Sequence, residues 1–482
     1  MSFWKRIKDK YLGDRAFYSA VLALFIPIVI QNGISSFVNL LDNLMVGSVG
    51  EAQMNGVSIS NQLFFVFNLC IFGGMSGAGI FAAQFFGAKD EKGVKDCFRF
   101  MLIVGLAICL AGAFVIGVFG PNLLDMFINP DLSGSEEAIA LELEKAAHTK
   151  TAGLEYIAII LLGLAPFALT NAYASTLRVA GETKLPMYAG IAGVFTNLAL
   201  NWLLIFDHFG HKGLGVQGAA IATVISRYVE LGIILFVAYR RMRKAGSYSF
   251  LKGAYRHFSI PAKLFKDIFI RSIPLLANEL LWSLGMTFLT RHYSLRGLTM
   301  VNAMTITSTI SNLFNVLVFS MGTAVSVMVG KSLGANDMEG AKSNARKIIV
   351  FCEMICLVTC TVLILLSGTL PLAYTKSSPE AKKLATSLLR STALVMPLNA
   401  FTHCTYFTLR AGGKTLITFL FDSVYTWVLP VPLSLILVKY TDLYIVTIFE
   451  LVHLMEVVKV TVGYILLKKG IWINNIVSDQ EA

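Results

Sequence analysis

A chain of 482 residues that is 56% hydrophobic and only 14% charged is not an ordinary water-soluble domain, which carries roughly a quarter charged residues. Its mean hydropathy of +0.69 makes a bilayer the natural solvent. Hydrocarbon admits only helices or closed barrels, because every backbone polar group must be satisfied internally. The net charge of +11 falls in short loops between apolar runs, so it reads as membrane orientation rather than as a nucleic-acid footprint.

The chain opens on MSFWKRIKDK. The apolar run that follows is too long for a signal-peptide core and lacks a small-residue cleavage site. Residues 1–16 are therefore expected to be a retained cytoplasmic segment. Apolar runs predict spans near 17–47, 54–86, 93–120, 150–180, 184–207, 214–240, 264–293, 301–333, 343–370, 381–411, 414–438 and 443–467. These have helix length, not strand length. The expectation is an all-α membrane protein of about twelve transmembrane helices.

Lysine and arginine set the orientation. One set of ends holds 28 of the 40 basic residues and the other holds 10, while Arg227 and Lys459 fall inside spans. The excess places both termini in the cytoplasm. The acidic loop near 121–149 then lies outside and is expected to be solvated and partly helical. The basic segment 241–263 falls at the midpoint of the chain and reads as a cytoplasmic linker. It joins a first lobe, 17–240, to a second, 264–467, and residues 468–482 form a cytoplasmic tail. The seven cysteines lie in apolar stretches or near basic loops, with no pair in an outside loop, so a disulfide framework is not expected. Cys352, Cys356 and Cys360 are read as small filler on one helix face.

The second half echoes the first. FFGAKDEKG, ending at Gly93, recurs as SLGANDMEG, ending at Gly340; LRVAGETK from Leu177 recurs as LRAGGKT from Leu409. Ile26-Pro27 recurs as Ile273-Pro274, and Ile59-Ser60-Asn61 as Ile310-Ser311-Asn312. Six spans per half is an even number, so both halves share one orientation. Their symmetry is then a two-fold axis along the membrane normal, a parallel repeat typical of transporters.

These residues resemble the multidrug and toxic compound extrusion (MATE) family. The resemblance is carried by Pro27 with Asp42 in LLDNLMVG, by FFGAKDEKG, by LRVAGETKLP, by NLALN and by the second-half echoes. It covers essentially the whole chain. It implies a two-lobe antiporter of the cell (inner or plasma) membrane that exports small, often cationic organic compounds in exchange for H+ or Na+. It also implies that Asp42 binds the coupling ion with Tyr156, Asn171, Asn197 and Asn201. Na+ at Asp42 is the one metal that this reading allows. No other cofactor, no enzymatic activity and no nucleic-acid partner are expected, and a monomer in the lipid bilayer is.

Ionisable side chains inside hydrocarbon are costly and mark functional candidates. Glu279, five residues after Pro274, pairs by the repeat offset with Asn32. It is a candidate for substrate or a second ion. Asp422 is another, and Asn399 stands where sodium-coupled relatives carry an aspartate. Arg227 with Glu230, and Glu456 with Lys459, are opposite charges at i, i+3 spacing that can neutralise each other on a helix face. With Pro27 and Pro274 they are assigned structural or gating roles. The absence of a GxxxxGK[ST] motif excludes a nucleotide engine of the P-loop type. The alternative function is a flippase for lipid-linked oligosaccharide or peptidoglycan precursors. Such flippases tend to carry several cavity cations, whereas the two cations embedded here each have an acid three residues away.

Overall fold

The structure is a computed structural model that describes residues 9–47, 50–128, 135–207, 213–243, 248–374 and 377–478. Its regular elements are helical throughout the described residues, as the hydrocarbon argument requires. In the first half these are α1 (Arg15–Gly47), α2 (Glu51–Gly87), α3 (Glu91–Asp125), α4 (Glu136–Ile160), α5 (Leu164–Val179), α6 (Lys184–Ile205) and α7 (Gly215–Met242). A 3₁₀ turn at Leu161–Gly163 joins α4 to α5. In the second half they are α8 (Ala262–Ser294), α9 (Leu298–Gly334), α10 (Met338–Leu366), α11 (Pro379–Ala411), α12 (Thr415–Phe419), α13 (Tyr425–Val428), α14 (Pro430–Tyr440), α15 (Ile445–Leu454) and α16 (Glu456–Lys469). A π turn at Leu420–Val424 joins α12 to α13.

Ten of these helical segments are long and apolar enough to cross a membrane, and the protein is a multi-pass membrane protein. The two other expected spans, 381–411 and 443–467, explain themselves. α11 is 33 residues long but rich in polar side chains. Those polar groups face protein: Thr402, Thr405, Thr408 and Arg410 are all buried. A helix enclosed by other helices needs no apolar outer surface. The last span is divided at Met455 into α15 and α16.

The repeat seen in the sequence is written into the backbone. Lys89 and Asn336, at equivalent positions after α2 and α9, both adopt left-handed conformations. The surrounding turns make the same bonds, Asp90 N to Phe85 O and Asp337 N to Ser332 O. Each aspartate then accepts the amide three residues on, Gly93 N at 3.0 Å and Gly340 N at 2.8 Å, which starts α3 and α10.

Packing divides the chain into two compact units. One holds residues 1–29, 76–94 and 261–482, and the other holds 30–75 and 95–260. The division in α1 falls two residues after Pro27, a buried proline inside the helix. Proline removes a backbone hydrogen bond and permits a bend. In the second unit, the linker after Tyr248 folds back on its own helices. Arg99 donates to the carbonyls of Ala254 (2.9 Å), Gly253 (3.2 Å) and Ser259 (3.4 Å), and pairs with Asp96 at 2.8 Å. The Tyr255 hydroxyl meets that of Tyr173, and burial raises the Tyr255 pKa. The acidic segment near 121–149 is partly helical as expected, since α4 begins at Glu136. All seven cysteines are free thiols.

Candidate functional site

A continuous polar network lies between α8, α11, the π turn and α16, all in the first unit. It is built around Asp422. A π turn inserts an extra residue into the helix and re-aims the side chains that follow, a device frequent at functional sites. Here it turns Asp422 and Ser423 toward α8. Ser423 Oγ donates to Asn278, where the backbone oxygen and Oδ1 both lie at 2.8 Å. With its oxygen so engaged, Asn278 presents its amide nitrogen, which donates to Asp422 Oδ2 at 3.0 Å and to the Tyr406 hydroxyl at 3.3 Å. Tyr406 in turn donates to Glu279 Oε1 at 3.5 Å. The other Asp422 oxygen takes Lys459 Nζ at 2.7 Å.

Lys459 therefore pairs across helices with Asp422, 37 residues away in sequence, although Glu456 is its i, i+3 neighbour. The ammonium also lies 5.4 Å from the ring centre of Phe421 and 5.3 Å from that of Tyr425. Arg410 sits over Phe407 and Tyr406, at 5.1 and 6.0 Å, close enough to act electrostatically on Glu279. Asn399 is half-buried seven residues before Tyr406 on α11, and its carbonyl accepts from the Thr402 hydroxyl at 3.1 Å.

The second unit has a related but differently charged arrangement. Gln31 and Asn278 are separated by the same offset as Pro27 and Pro274. Gln31 Oε1 accepts from Arg178 Nη2 at 2.9 Å, and Arg178 is the counterpart of Arg410. By the spacing of those two arginines the counterpart of Asp422 is Gly190, which lies against Gln31 and the Glu230 carboxylate. Glu230 is acted on by the charges of both Arg178 and Arg227. In the second unit an acid on α7 stands beside a glycine, and in the first a lysine on α16 stands beside an acid. Arg227 donates to Gly163 O at 3.3 Å, at the 3₁₀ turn, and stacks 4.9 Å over Phe167.

The residues matched to a first-half coupling site make three separate local arrangements. Asn201 Nδ2 donates to Asn197 Oδ1 at 3.1 Å, and Asn197 Nδ2 to Thr223 Oγ1 at 3.3 Å. Tyr156 is buried and its hydroxyl donates to Asn61 Oδ1 at 3.2 Å. Asn171 bonds back to Phe167 O of its own helix at 2.9 Å. Asp42 lies within α1, and its side chain is outside the described residues. Pro274 is inside α8, five residues before Glu279. Sequence reasoning passed over Asn278, Tyr406, Gln31 and Asn61. The repeat offset that pairs Gln31 with Asn278 is the signal that could have found two of them.

Comparison with known proteins shows the family. The MatE family model matches residues 27–203 and 274–436. The chain is 24% identical over 427 residues to the probable multidrug resistance protein NorM of Thermotoga maritima, covering 88% of this chain and 86% of that protein. It is 25% identical over 434 residues to the probable multidrug resistance protein YoeA of Bacillus subtilis, with 89% of each covered. Among solved structures it resembles a MATE protein in complex with MaL6, with a TM-score of 0.80 at 23% identity over 96% of this chain and 97% of the other. It also resembles an outward-facing multidrug resistance MATE family transporter, with a TM-score of 0.79 at 22% identity over 95% and 97%. These structures share its fold, and the family match spans both halves of the repeat. The chain belongs to the MatE family of membrane transporters.

Proposed function

We propose that this chain is a multidrug efflux antiporter. It exports small, often cationic organic compounds across the cell membrane in exchange for H+ or Na+, by alternating access, as a monomer with both termini in the cytoplasm. Several relatives bear the name multidrug resistance protein, which supports efflux; nothing favours a flippase. The observation that carries the reading is the network of Glu279, Tyr406, Asn278, Asp422 and Lys459 in the apolar interior of a helical membrane protein. Buried acids held by hydrogen bonds and aromatic faces suit cation binding.

In this reading Asp42 is the first-half coupling acid, with Tyr156, Asn171, Asn197 and Asn201 supplying neutral groups. Hard cations favour such oxygens, and a proton needs only the carboxylate. Glu279 and Asp422, with Asn399 nearby, form the second-half site for substrate or ion. Pro27 and Pro274 supply places where α1 and α8 can bend. An ion that binds one state better than the other shifts the equilibrium between them and so drives export.

The test is dye uptake into inverted membrane vesicles with sodium and pH gradients imposed separately. Uptake driven by at least one gradient, and lost in Asp42→Asn, is the expected result. Dye movement indifferent to both gradients would overturn the antiport assignment.

A further inference from the structure

The environment of Lys459 has the form of a ligand site that is already filled. Its ammonium has a carboxylate oxygen at 2.7 Å and two aromatic rings between 5.3 and 5.4 Å. Phe421 and Tyr425 are one helical turn apart and flank Asp422 on the π turn. A carboxylate between aromatic faces is the chemistry that recognises organic ammonium ions. A hard cation such as sodium is better served by six or more oxygens.

We propose that Lys459 is a tethered counter-ion that occupies a cation cage formed by Asp422, Phe421 and Tyr425, and that an organic ammonium cargo enters the cage by displacing the lysine head onto Glu456. The proposal rests on the efflux reading and adds to it a place for the cargo and a competitor built into the chain.

Three features support the exchange. First, Asp422 has a second partner that Lys459 does not share. Asn278, itself held by the Ser423 hydroxyl, donates to the carboxylate from one side, whereas the lysine head hangs on four rotatable methylenes and donates a hydrogen bond to Asp422. Second, a second carboxylate with one unpartnered oxygen lies within reach. Glu456 is one turn earlier on α16, at the i, i+3 spacing from which a lysine can reach it. Its Oε2 and the nearby Tyr425 hydroxyl have no hydrogen-bond partner in this state. Third, the charges are compensated. With Lys459 on Asp422, no ion-pair partner stands against Glu456 among the described residues. With cargo on Asp422 and Lys459 on Glu456, both acids are paired, so the cation enters without leaving a buried charge uncompensated. In the first half of the chain the cations beside the buried acid Glu230 are arginines, Arg178 and Arg227, not a lysine.

The experiment is equilibrium binding of a fluorescent trimethylammonium probe to the purified full-length protein in lipid nanodiscs, with unlabelled tetramethylammonium and sodium as competitors. Lys459→Met removes the tethered competitor and should tighten probe binding about tenfold, and Lys459→Arg should leave it near wild type. Glu456→Gln removes the alternate seat and should weaken binding several-fold without touching the cage. Asp422→Asn should abolish it. Unchanged or weaker binding in a folded Lys459→Met protein would overturn the proposal. If that variant fails to fold, Glu456→Gln decides, and wild-type affinity in it overturns the proposal equally. Sodium competing as well as tetramethylammonium would overturn the assignment to organic cations. Gradient-driven efflux is read separately, so loss of coupling with the binding pattern intact would count against antiport and leave the cage standing.

Discussion

Gly87 and Gly334 meet each other's helices reciprocally. A side chain on Gly87 would run into the carbonyl of Lys331, and one on Gly334 into the carbonyl of Gln84. These are repeat-related positions, so each helix end presents the same surface to the other, as a two-fold contact requires. The close crossing of α2 and α9 depends on the missing Cβ atoms. Gly334→Ala should therefore destabilise the protein by about 1–3 kcal/mol, the usual range for overpacking. Thermal unfolding in detergent reads this directly, with Gly368→Ala, which has open space around its Cα, as the control that should change little.

Gln84 ties the end of α2 to the end of α11 and to the tail. It is fully buried and donates to Ala411 O at 2.9 Å and Asn474 O at 3.1 Å, while Ile476 N donates to its Oε1 at 2.8 Å. Gln84→Leu leaves those tail groups unsatisfied, at a cost of about 1–3 kcal/mol for each buried group that finds no water. The tail carrying Trp472 and Val477 should loosen, and trypsin should cut after Lys468 and Lys469 faster than in wild type. Equal cleavage rates would contradict this role.

Arg99 holds the linker by its backbone, so its loss should be felt there and not in the spans. Arg99→Gln is expected to raise amide hydrogen exchange across residues 250–259 by about tenfold or more, since a tenfold change corresponds to only about 1.4 kcal/mol of local stability. Unchanged exchange in that segment would show that Phe250 and Leu251, both buried, hold it without the arginine.

Orientation can be tested by labelling single cysteines in a background lacking the native seven. Cysteines at Glu136 and Glu380, both exposed, should react with an impermeant reagent from outside. Those at Lys92 and Glu339 should not. The reverse pattern would invert the topology argued from basic residues.

Much of the fold was legible because span length and hydrophobicity are set by the bilayer alone. The repeat was legible because turn chemistry such as Gly-Ala-Lys-Asp and Gly-Ala-Asn-Asp must be spelled locally, and Lys89 and Asn336 share the conformation that it encodes. The site was legible only as a set of acids. Spacing on one helix suggested that Lys459 closes on Glu456. Instead it reaches Asp422, because the π turn at Leu420–Val424 brings that carboxylate to α16. Nothing in FLFDSVYTW announces a π turn. Arg99 and Gln84 were likewise invisible as partners of distant backbone, since such bonds leave no periodicity.

Obligatory exchange is the central claim, and reversed flux tests it most directly. In sealed proteoliposomes with no ion gradient, a gradient of organic cation should drive the coupling ion the opposite way, because coupling between two ligands is reciprocal. The account predicts counterflow of H+ or Na+ that starts with the substrate and is absent in Asp42→Asn. Substrate movement with no counterflow of either ion would contradict it.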